Sequence, residues 1–205
     1  MPKRTKSSAA WLQEHEADPY VQKARQLGYR SRAVFKLLEI DQKDKLLKSG
    51  LTIVDLGAAP GGWSELAAKK VSVKGRVIAM DILPMQAIAG VDFLQGDFND
   101  EEIVQQLLTL VNGKVDLVLC DIAPNMSGNA TVDQMQSMQL AEAALEFSRQ
   151  VLVKNGNFLV KVFQGAGFQE YLALLRKCFK QVVTRKPDAS RARSTEVYLL
   201  GKFFL

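Results

Sequence analysis

Metal-binding and cross-linking side chains are scarce in this sequence. It has two cysteines, Cys120 and Cys178, and one histidine, His15, among 205 residues. The cysteines are far apart and form no C-x-x-C motif, a pattern typical of buried thiols in a reducing, cytoplasmic compartment rather than of a disulfide framework or a zinc site. Without a second histidine, we interpret His15 as a surface residue. We therefore expect no disulfide and no bound metal.

Long apolar segments are also missing. The longest apolar runs fall far short of the roughly 20 residues that a membrane-spanning helix needs, so we expect no contact with a membrane. The N-terminal Met-Pro-Lys-Arg-Thr-Lys is basic, but no apolar stretch follows it, so we do not expect a signal peptide. The composition, 47% hydrophobic and 24% charged, is ordinary for a soluble globular protein, and the length suits one α/β domain with a full core.

Positive charge is distributed unevenly along the chain. The net charge is +5, and residues 1–48 contain 11 lysines and arginines against 6 acidic residues, whereas the remainder contains 16 of each. A second basic cluster, in which Asp188 is the only acidic residue, contains Arg176, Lys177, Lys180, Arg185, Lys186, Arg191 and Arg193. Both groups favour a polyanionic partner such as nucleic acid, although charge alone leaves an ordinary solvated surface as an equal alternative.

The most informative segment is a strand pattern followed by a glycine-rich turn. Residues Leu51–Leu56 form an apolar, β-branched run, and the turn reads Gly57-Ala58-Ala59-Pro60-Gly61-Gly62. It differs from the dinucleotide-binding G-x-G-x-x-G, whose backbone N–H groups hold a pyrophosphate, because Pro60 has no N–H. The turn therefore favours a ligand without phosphates. We expect S-adenosylmethionine, and a nicotinamide dehydrogenase is disfavoured.

Strand patterns alternate with helical patterns along the rest of the chain. Strands are predicted at 51–56, 76–80, 91–94, 115–121, 157–162, 181–184 and 195–201, and helices at 63–72, 100–112, 133–154 and 167–178. This alternation predicts an α/β fold, a seven-stranded, mostly parallel sheet with helices on both faces. A short link at 185–194 joins the last two strands, which are therefore predicted to be antiparallel.

One domain accounts for the whole pattern. Residues 1–17 are predicted to be a flexible basic arm, and residues 18–205 a single domain, with a basic helical region at 18–48 and the Rossmann-like core at 49–205. Within the helical region, Ser31 can cap the helix that follows. Further along, Asn155-Gly156 is expected to end the helix predicted at 133–154.

Charged residues follow four consecutive predicted strands. Asp81, Asp121 and Lys161 lie at strand ends, and Asp97 lies just after one. Each residue alone has an ordinary explanation as a turn cap or a solvent-facing side chain. Because ligands of parallel sheets bind outside the carboxyl ends of the strands, the four together predict a binding site at that edge. Asp81 stands where a carboxylate usually contacts ribose hydroxyls.

Lys161 has a setting suited to catalysis. It lies within the apolar run Phe158-Leu159-Val160-Lys161-Val162-Phe163, where burial favours the neutral amine, which can act as a general base. Asp121 or Glu196 nearby would favour the ammonium form instead, and the sequence leaves this balance open. Glu196 begins the last predicted strand and reaches the same edge if that strand is antiparallel. Lys36 lies in the basic helical region, where nothing in its neighbourhood distinguishes it from Arg32 or Lys43.

Six segments in order resemble the FtsJ/RrmJ family of heat-shock ribosomal RNA methyltransferases. The matches run from about Trp11 to Tyr198 and comprise Ser31-Arg32-Ala33 with Lys36, Asp55–Ser64, Gly90–Phe98, Asp121–Gly128, Val160–Gly165 and Lys186–Tyr198. One such segment would be a weak signal, but six in the same order are specific. The resemblance implies a Rossmann-like methyltransferase that uses S-adenosylmethionine and acts on a ribose of RNA.

The resemblance also implies roles for individual residues. The family's K-D-K-E set for 2′-O-methylation falls on Lys36, Asp121, Lys161 and Glu196. The implied reaction is an in-line displacement, in which a ribose 2′-oxygen attacks the methyl group while Lys161 accepts the hydroxyl proton or stabilises the alkoxide. Together with the turn, the predicted cofactor-binding residues are Gly57, Pro60, Gly61, Gly62, Trp63, Asp81, Asp97, Phe98 and Asp121.

The expected substrate is a ribose of 23S ribosomal RNA, that of a uridine, methylated during maturation of the large ribosomal subunit. We expect a cytoplasmic monomer whose phosphate contacts include Arg32, Arg191 and Arg193. Two alternatives stay open: a methyltransferase of the same fold that acts on an RNA cap, a transfer RNA or a small molecule, and an RNA-binding assembly factor without catalysis. The complete set of Lys36, Asp121, Lys161 and Glu196 argues against the second.

Overall fold

A computed structural model of the protein describes residues 16–191 and 193–205. Of the arm expected at 1–17, only Glu16 and Ala17 are among the described residues. His15, which we expect at the surface, lies outside them. Within the described part of the chain, no helix is both long enough and apolar enough to cross a membrane.

A seven-stranded sheet forms the centre of the fold. In chain order the strands are β1 Thr52–Leu56, β2 Arg76–Asp81, β3 Val91–Gln95, β4 Val115–Cys120, β5 Leu152–Phe163, β6 Phe179–Arg185 and β7 Glu196–Phe204. Their spatial order is β3-β2-β1-β4-β5-β7-β6. The first five strands in this order, β3, β2, β1, β4 and β5, pair in parallel. β7 pairs antiparallel with both β5 and β6. The predicted mostly parallel sheet with an antiparallel last pair is confirmed.

Helices cover both faces of this sheet. They are α1 Pro19–Gln26, α2 Val34–Asp44, α3 Gly62–Val71, α4 Glu101–Val111, α5 Ala130–Val151 and α6 Phe168–Cys178, with a short 3-10 turn at Ser72–Lys74. One buried cluster joins the sheet to α4, α5 and α6, and the other joins it to α1, α2 and α3. Successive residues of β1 illustrate the division, since Val54 packs in the first cluster and Ile53 in the second. This two-sided burial explains why the parallel strands read as continuous apolar runs.

The largest difference from the predicted helix boundaries concerns the helix predicted at 133–154. The helix predicted at 133–154 ends at Val151, and β5 begins at Leu152, so Asn155-Gly156 lies inside a strand. The β4–β5 register shifts there, because Val115 pairs with Leu152 but Leu117 pairs with Asn157. Asn155 takes a left-handed conformation with φ 64° at this irregularity. Turn-forming residues here mark a bulge and not a helix end.

The predicted side-chain cap at Ser31 is also wrong. No side chain caps α2, and its first turn is tied instead by backbone bonds, including the 3.4 Å bond from Val34 N to the Ser31 carbonyl. The two cysteines are free thiols. Cys120 is buried, which raises the pKa of its thiol to about 12, whereas Cys178 is only half-buried.

Candidate active site

The carboxyl ends of the parallel strands form one rim of the sheet, and the predicted charged residues lie along it. Asp81 ends β2, Asp97 follows β3, Asp121 follows β4, and Lys161 lies near the end of β5. Because β7 is antiparallel, its first residue, Glu196, reaches the same rim and pairs in register with Phe163. The topology therefore brings together side chains from five strands.

Two glycines allow the turn after β1 to come close to its neighbours. At Gly57, with φ 79°, an added Cβ would lie 2.7 Å from the backbone nitrogen of Ile122, in the segment that follows β4. At Gly61, with φ 106°, it would lie 2.7 Å from Ile88. Both positions combine a left-handed backbone with close packing, so they require glycine.

A cavity of about 150 Å³ lies between this turn and the ends of β2, β3 and β4. Four of the predicted cofactor-binding residues line it: Gly57, Asp81, Asp97 and Phe98. The other residues of its wall are Met80, Ile82, Gly96, Asn99, Ile122, Ala123, Pro124, Asn125 and Leu140. Pro60, Gly61, Gly62 and Trp63 lie in the adjoining turn and the first turn of α3.

Backbone N–H groups orient the cavity carboxylates. Asp81 accepts 2.8 Å bonds from the nitrogens of Ala59 and Leu83 through its two different oxygens. Asp97 accepts 2.9 Å bonds from the backbone and side-chain nitrogens of Asn99. Each carboxylate is thus held in place by bonds that leave lone pairs for further donors, such as ribose hydroxyls.

Asp55 lies behind the turn and is fully buried. One carboxyl oxygen accepts a 2.5 Å bond from the Ser64 hydroxyl, while the other has no hydrogen-bond partner. Burial raises the pKa of Asp55 to about 7, with smaller contributions in the same direction from Asp121 and Asp81. A half-satisfied carboxyl in an apolar setting favours the protonated form.

Trp63 connects the turn to the other half of the rim. Its buried indole donates a 2.7 Å hydrogen bond to the Ala33 carbonyl, and its ring centroid lies 5.7 Å from that of Tyr198. The side chain is therefore committed to packing between α2, α3 and β7. Any contact of this residue with a cofactor would have to come from its backbone.

The first of two lysine–carboxylate pairs joins β5 to the end of β4. The Lys161 ammonium lies 3.3 Å from the Asp121 carboxylate and donates a 2.7 Å bond to the Asp121 carbonyl. The same carboxylate oxygen accepts a 2.7 Å bond from the Tyr198 hydroxyl. Burial, reinforced by Asp121 and Glu196, raises the pKa of Tyr198 well above its ordinary value. The phenol is therefore a neutral, permanent donor at physiological pH.

The second pair joins α2 to β7. Lys36 Nζ lies 2.7 Å from Glu196 Oε1, which also accepts a 2.8 Å bond from the Ser190 hydroxyl. Lys36 Nζ lies 5.6 Å from the centroid of the Tyr198 ring. The side chains of both pairs are only 7–16% exposed. The structure therefore gathers all four predicted catalytic residues around Tyr198, whose role the sequence reasoning missed.

A loop between β6 and β7 supports Glu196. The Glu39 carboxylate accepts bonds from the backbone nitrogens of Asp188 at 2.6 Å and Ala189 at 3.1 Å. At the other end of the loop, Lys186 donates to the carbonyls of Ser194 and Glu196. These contacts fix the loop that carries Ser190.

The three predicted RNA-binding arginines differ in their surroundings. Arg32 forms an ion pair with Asp18 and donates to the Ala189 carbonyl. Burial, then the charge of Arg191, lowers the pKa of Arg32. Arg191 is half-buried and lines an open cavity of about 380 Å³ together with Arg32, while Arg193 is exposed. Arg32 is therefore partly neutralised by the protein itself.

The residues gathered at this rim include no evident metal site. Across residues 16–191 and 193–205, no group of three or more His, Cys, Asp or Glu side chains is arranged to hold a metal ion.

Taken together, the sheet order, the glycine turn and the paired lysines define a Rossmann-like methyltransferase. The model of the FtsJ-like methyltransferase family matches residues 29–204, and the chain belongs to that family. The resemblance drawn from the six sequence segments is confirmed.

Relatives extend this match over nearly the whole chain. A ribosomal RNA large subunit methyltransferase E of Chromohalobacter salexigens is 61% identical, over 98% of this chain and 96% of that protein. The protein of that name in Neisseria meningitidis serogroup C is 58% identical, over 98% of each. Among solved structures, one described as a ribosomal RNA methyltransferase, from Plasmodium falciparum, has a TM-score of 0.77 and 30% identity, covering 86% of this chain and 99% of that one.

Proposed function

We propose that the protein transfers a methyl group from S-adenosylmethionine to a ribose 2′-oxygen in 23S RNA of the large ribosomal subunit. The acceptor is the ribose of a uridine, and the protein acts as a cytoplasmic monomer during ribosome maturation. The observation that carries this proposal is the convergence of two lysine–carboxylate pairs on Tyr198 at the sheet rim. The names of the relatives support the choice of large-subunit RNA.

The side chains around the cavity at the ends of β2, β3 and β4 have chemistry that suits the proposed cofactor. Asp81 and Asp97 offer carboxylate oxygens suited to ribose hydroxyls and to an amino group, and buried Phe98 offers an apolar surface. Gly57 keeps the adjoining backbone free of side chains. When bound, S-adenosylmethionine supplies a methyl group made electrophilic by its sulfonium. The remaining chemistry belongs to the protein's own side chains.

Lys161 is the residue that we assign to the acceptor hydroxyl. If its amine is neutral, it takes the hydroxyl proton, and if it is charged, it stabilises the oxygen as negative charge develops. Asp121 positions Lys161 through both its carboxylate and its carbonyl. Lys36 and Glu196 orient the hydroxyl from the other side. Holding the reactants in alignment can by itself lower a barrier by about 7–11 kcal/mol.

The basic surface beside α2 is the proposed path of the RNA backbone. Arg191 and Arg193 lie on the loop that supports Glu196, so phosphates bound there would lie next to the acceptor site. Removing the charge of either side chain should lower RNA affinity and reduce the salt dependence by about one phosphate contact. Arg32, the third predicted phosphate contact, is paired with Asp18, so its replacement would remove that ion pair together with the charge.

Two measurements test this function. The first is methyl transfer from labelled donor to large ribosomal subunits, free 23S RNA and transfer RNA, which compares the proposed substrate with its rivals. The second maps 2′-O-methylated positions in RNA from cells with and without the protein. We expect one position of 23S RNA to lose its methyl group in cells that lack the protein. Transfer to tRNA alone, or an unchanged methylation map, would contradict the proposal.

A further inference from the structure

An apolar groove of about 900 Å³ lies beside the active site and has no part in the function described so far. It runs between the first half of α5 and the connection from β5 to α6. Its volume falls within the range typical of small-molecule sites. Its wall consists of Met126, Gly128, Ala130, Thr131, Asp133, Gln134, Met135, Met138, Gln139, Glu142, Phe163, Gln164, Gly165, Ala166, Gly167 and Thr195.

The groove adjoins both halves of the active site. The segment after β4 separates it from the cofactor cavity, since Asn125 lines the cavity and Met126 lines the groove. On the other side, Thr195 in its wall directly precedes Glu196. Phe163 lies two residues beyond Lys161 on β5. One nucleotide could therefore contact the groove and the two lysine–carboxylate pairs at once.

Polar contacts hold the walls of the groove in position. The Asp133 carboxylate accepts 2.7 Å bonds from the backbone nitrogen and hydroxyl of Ser127, which lowers the pKa of Asp133. The Gln134 amide donates to the carbonyls of Phe163 and Ala166, at 3.2 and 2.9 Å. α5 is thus tied to the loops on both sides, and the groove is a formed site.

The chemistry of the wall suits a flat ligand without negative charge. Among the described residues, the wall contains two carboxylates, Asp133 and Glu142, and no lysine or arginine, so it does not suit a phosphate. Three methionines and Phe163 offer polarisable, adaptable surface for a ring. Met126 and Met135 are 65% and 59% exposed, although they are large and apolar. The side chains of Gln139, Gln164 and Thr195 add hydrogen-bonding groups.

We propose that this groove binds the unpaired base of the nucleotide that is methylated, while the ribose of that nucleotide lies over Lys161 and Glu196. This inference rests on the proposed function, which supplies an RNA acceptor. Sequence-specific recognition of RNA depends on unpaired bases that stack on side chains, and the groove is an apolar surface of sufficient size within one residue of Glu196. The basic side chains at Arg191 and Arg193 lie outside the groove, on the loop before Thr195, where the charged backbone can follow them.

A cycle of protein and substrate changes tests the contact. The protein change is Met126→Ala with Met135→Ala, two exposed side chains whose truncation leaves the core intact. The substrate change replaces the acceptor nucleotide, in reconstituted large-subunit RNA, by an abasic nucleotide that keeps its 2′-hydroxyl. Each change alone should lower kcat/KM about tenfold. Both together should lower it no more than about twofold further, because they remove the same contact.

Matched controls separate the possible outcomes. The variant Val132→Ala with Leu174→Ala truncates two exposed apolar side chains that are not in the groove wall, and it should keep wild-type activity. Losses that multiply in the cycle would overturn the proposal and indicate that the groove contacts another part of the particle, such as a protein. A single change without effect would also overturn it. The wild-type protein with natural RNA tests the proposed function itself. If it transfers no methyl group, the proposed function is wrong, whatever the groove variants do.

Discussion

The two halves of the sheet rim use carboxylates in opposite ways. At the ends of β2 and β3, Asp81 and Asp97 are held by N–H groups, with no lysine in the hydrogen bonds described for them. At the ends of β4, β5 and β7, Asp121 and Glu196 each face a lysine at 3.3 and 2.7 Å. One half keeps uncompensated negative charge, and the other holds balanced pairs.

This difference indicates a division of labour along one edge. Carboxylates without a paired cation attract hydroxyl donors and positive charge. A nucleoside with a cationic sulfur has both. Balanced pairs hold ammonium groups in fixed positions without a strong net field, so a proton can be moved locally. The predictions below break one half or the other, beginning with the largest expected effect.

Replacement of Lys161 should disable the paired half. We expect Lys161→Met to lower kcat by about 10³-fold, because the group next to the acceptor hydroxyl is lost. Donor binding, measured by titration calorimetry, should stay within a few-fold of wild type. Lys161→Arg separates the two possible roles, since arginine keeps the charge but cannot accept a proton. Partial activity in the arginine variant indicates electrostatic stabilisation, and wild-type activity in the methionine variant would refute the assignment.

Replacement of Asp55 should change how the free energy of unfolding depends on pH. Its pKa is raised from 3.8 to about 7 in the folded protein, so the folded state holds a proton that the unfolded state releases. Stability from this group is therefore lost as pH rises from about 4 to about 7. Asp55→Asn has no such group, and its stability relative to wild type should rise by about 2–3 kcal/mol between pH 5 and pH 8.

Urea unfolding at the two pH values measures the Asp55 effect. Asp92→Asn serves as the control, because Asp92 is 51% exposed and paired with Arg76 at the surface, and its relative stability should change little. If the difference between Asp55→Asn and wild type is the same at pH 5 and pH 8, the carboxyl does not titrate in this range.

A smaller effect is expected at Ser190, whose hydroxyl supports Glu196. Ser190→Ala removes the 2.8 Å bond to Glu196, so kcat should fall about fivefold while KM for RNA is unchanged. Ser190→Thr, which keeps the hydroxyl, should recover most of the rate. Steady-state kinetics with both substrates distinguishes this from loop disorder, which would raise KM for RNA and would not respond to the threonine change.

Much of the architecture could be predicted from the sequence. Alternation of apolar strands and amphipathic helices identified the parallel sheet, and the rule for its carboxyl ends placed Asp81, Asp121 and Lys161 on one rim. The error at Asn155-Gly156 arose because the same residue types favour helix ends and β-bulges, and only the pairing of β5 with β4 distinguishes these.

Contacts between distant segments could not be predicted from local patterns. Lys36 had no distinguishing neighbourhood in the sequence, and its pairing with Glu196 depends on how α2 packs against β7. Tyr198 lies two residues after Glu196 along β7, so both side chains lie on the same face of the sheet. This spacing is a signal that could have identified Tyr198. The hydrogen bond from the backbone nitrogen of Asp188 to the Glu39 carboxylate joins residues 149 positions apart, and no local sequence pattern indicates it.

The buried position of Trp63 has a practical consequence for spectroscopy. The chain contains two tryptophans, and the other, Trp11, precedes the described residues. With Trp11 replaced by phenylalanine, the emission would come from a single indole that is bonded to the Ala33 carbonyl and packed against Tyr198. The protein thus carries an intrinsic fluorophore between the two halves of the rim. Ligand binding to either half could be followed by tryptophan fluorescence without an attached dye.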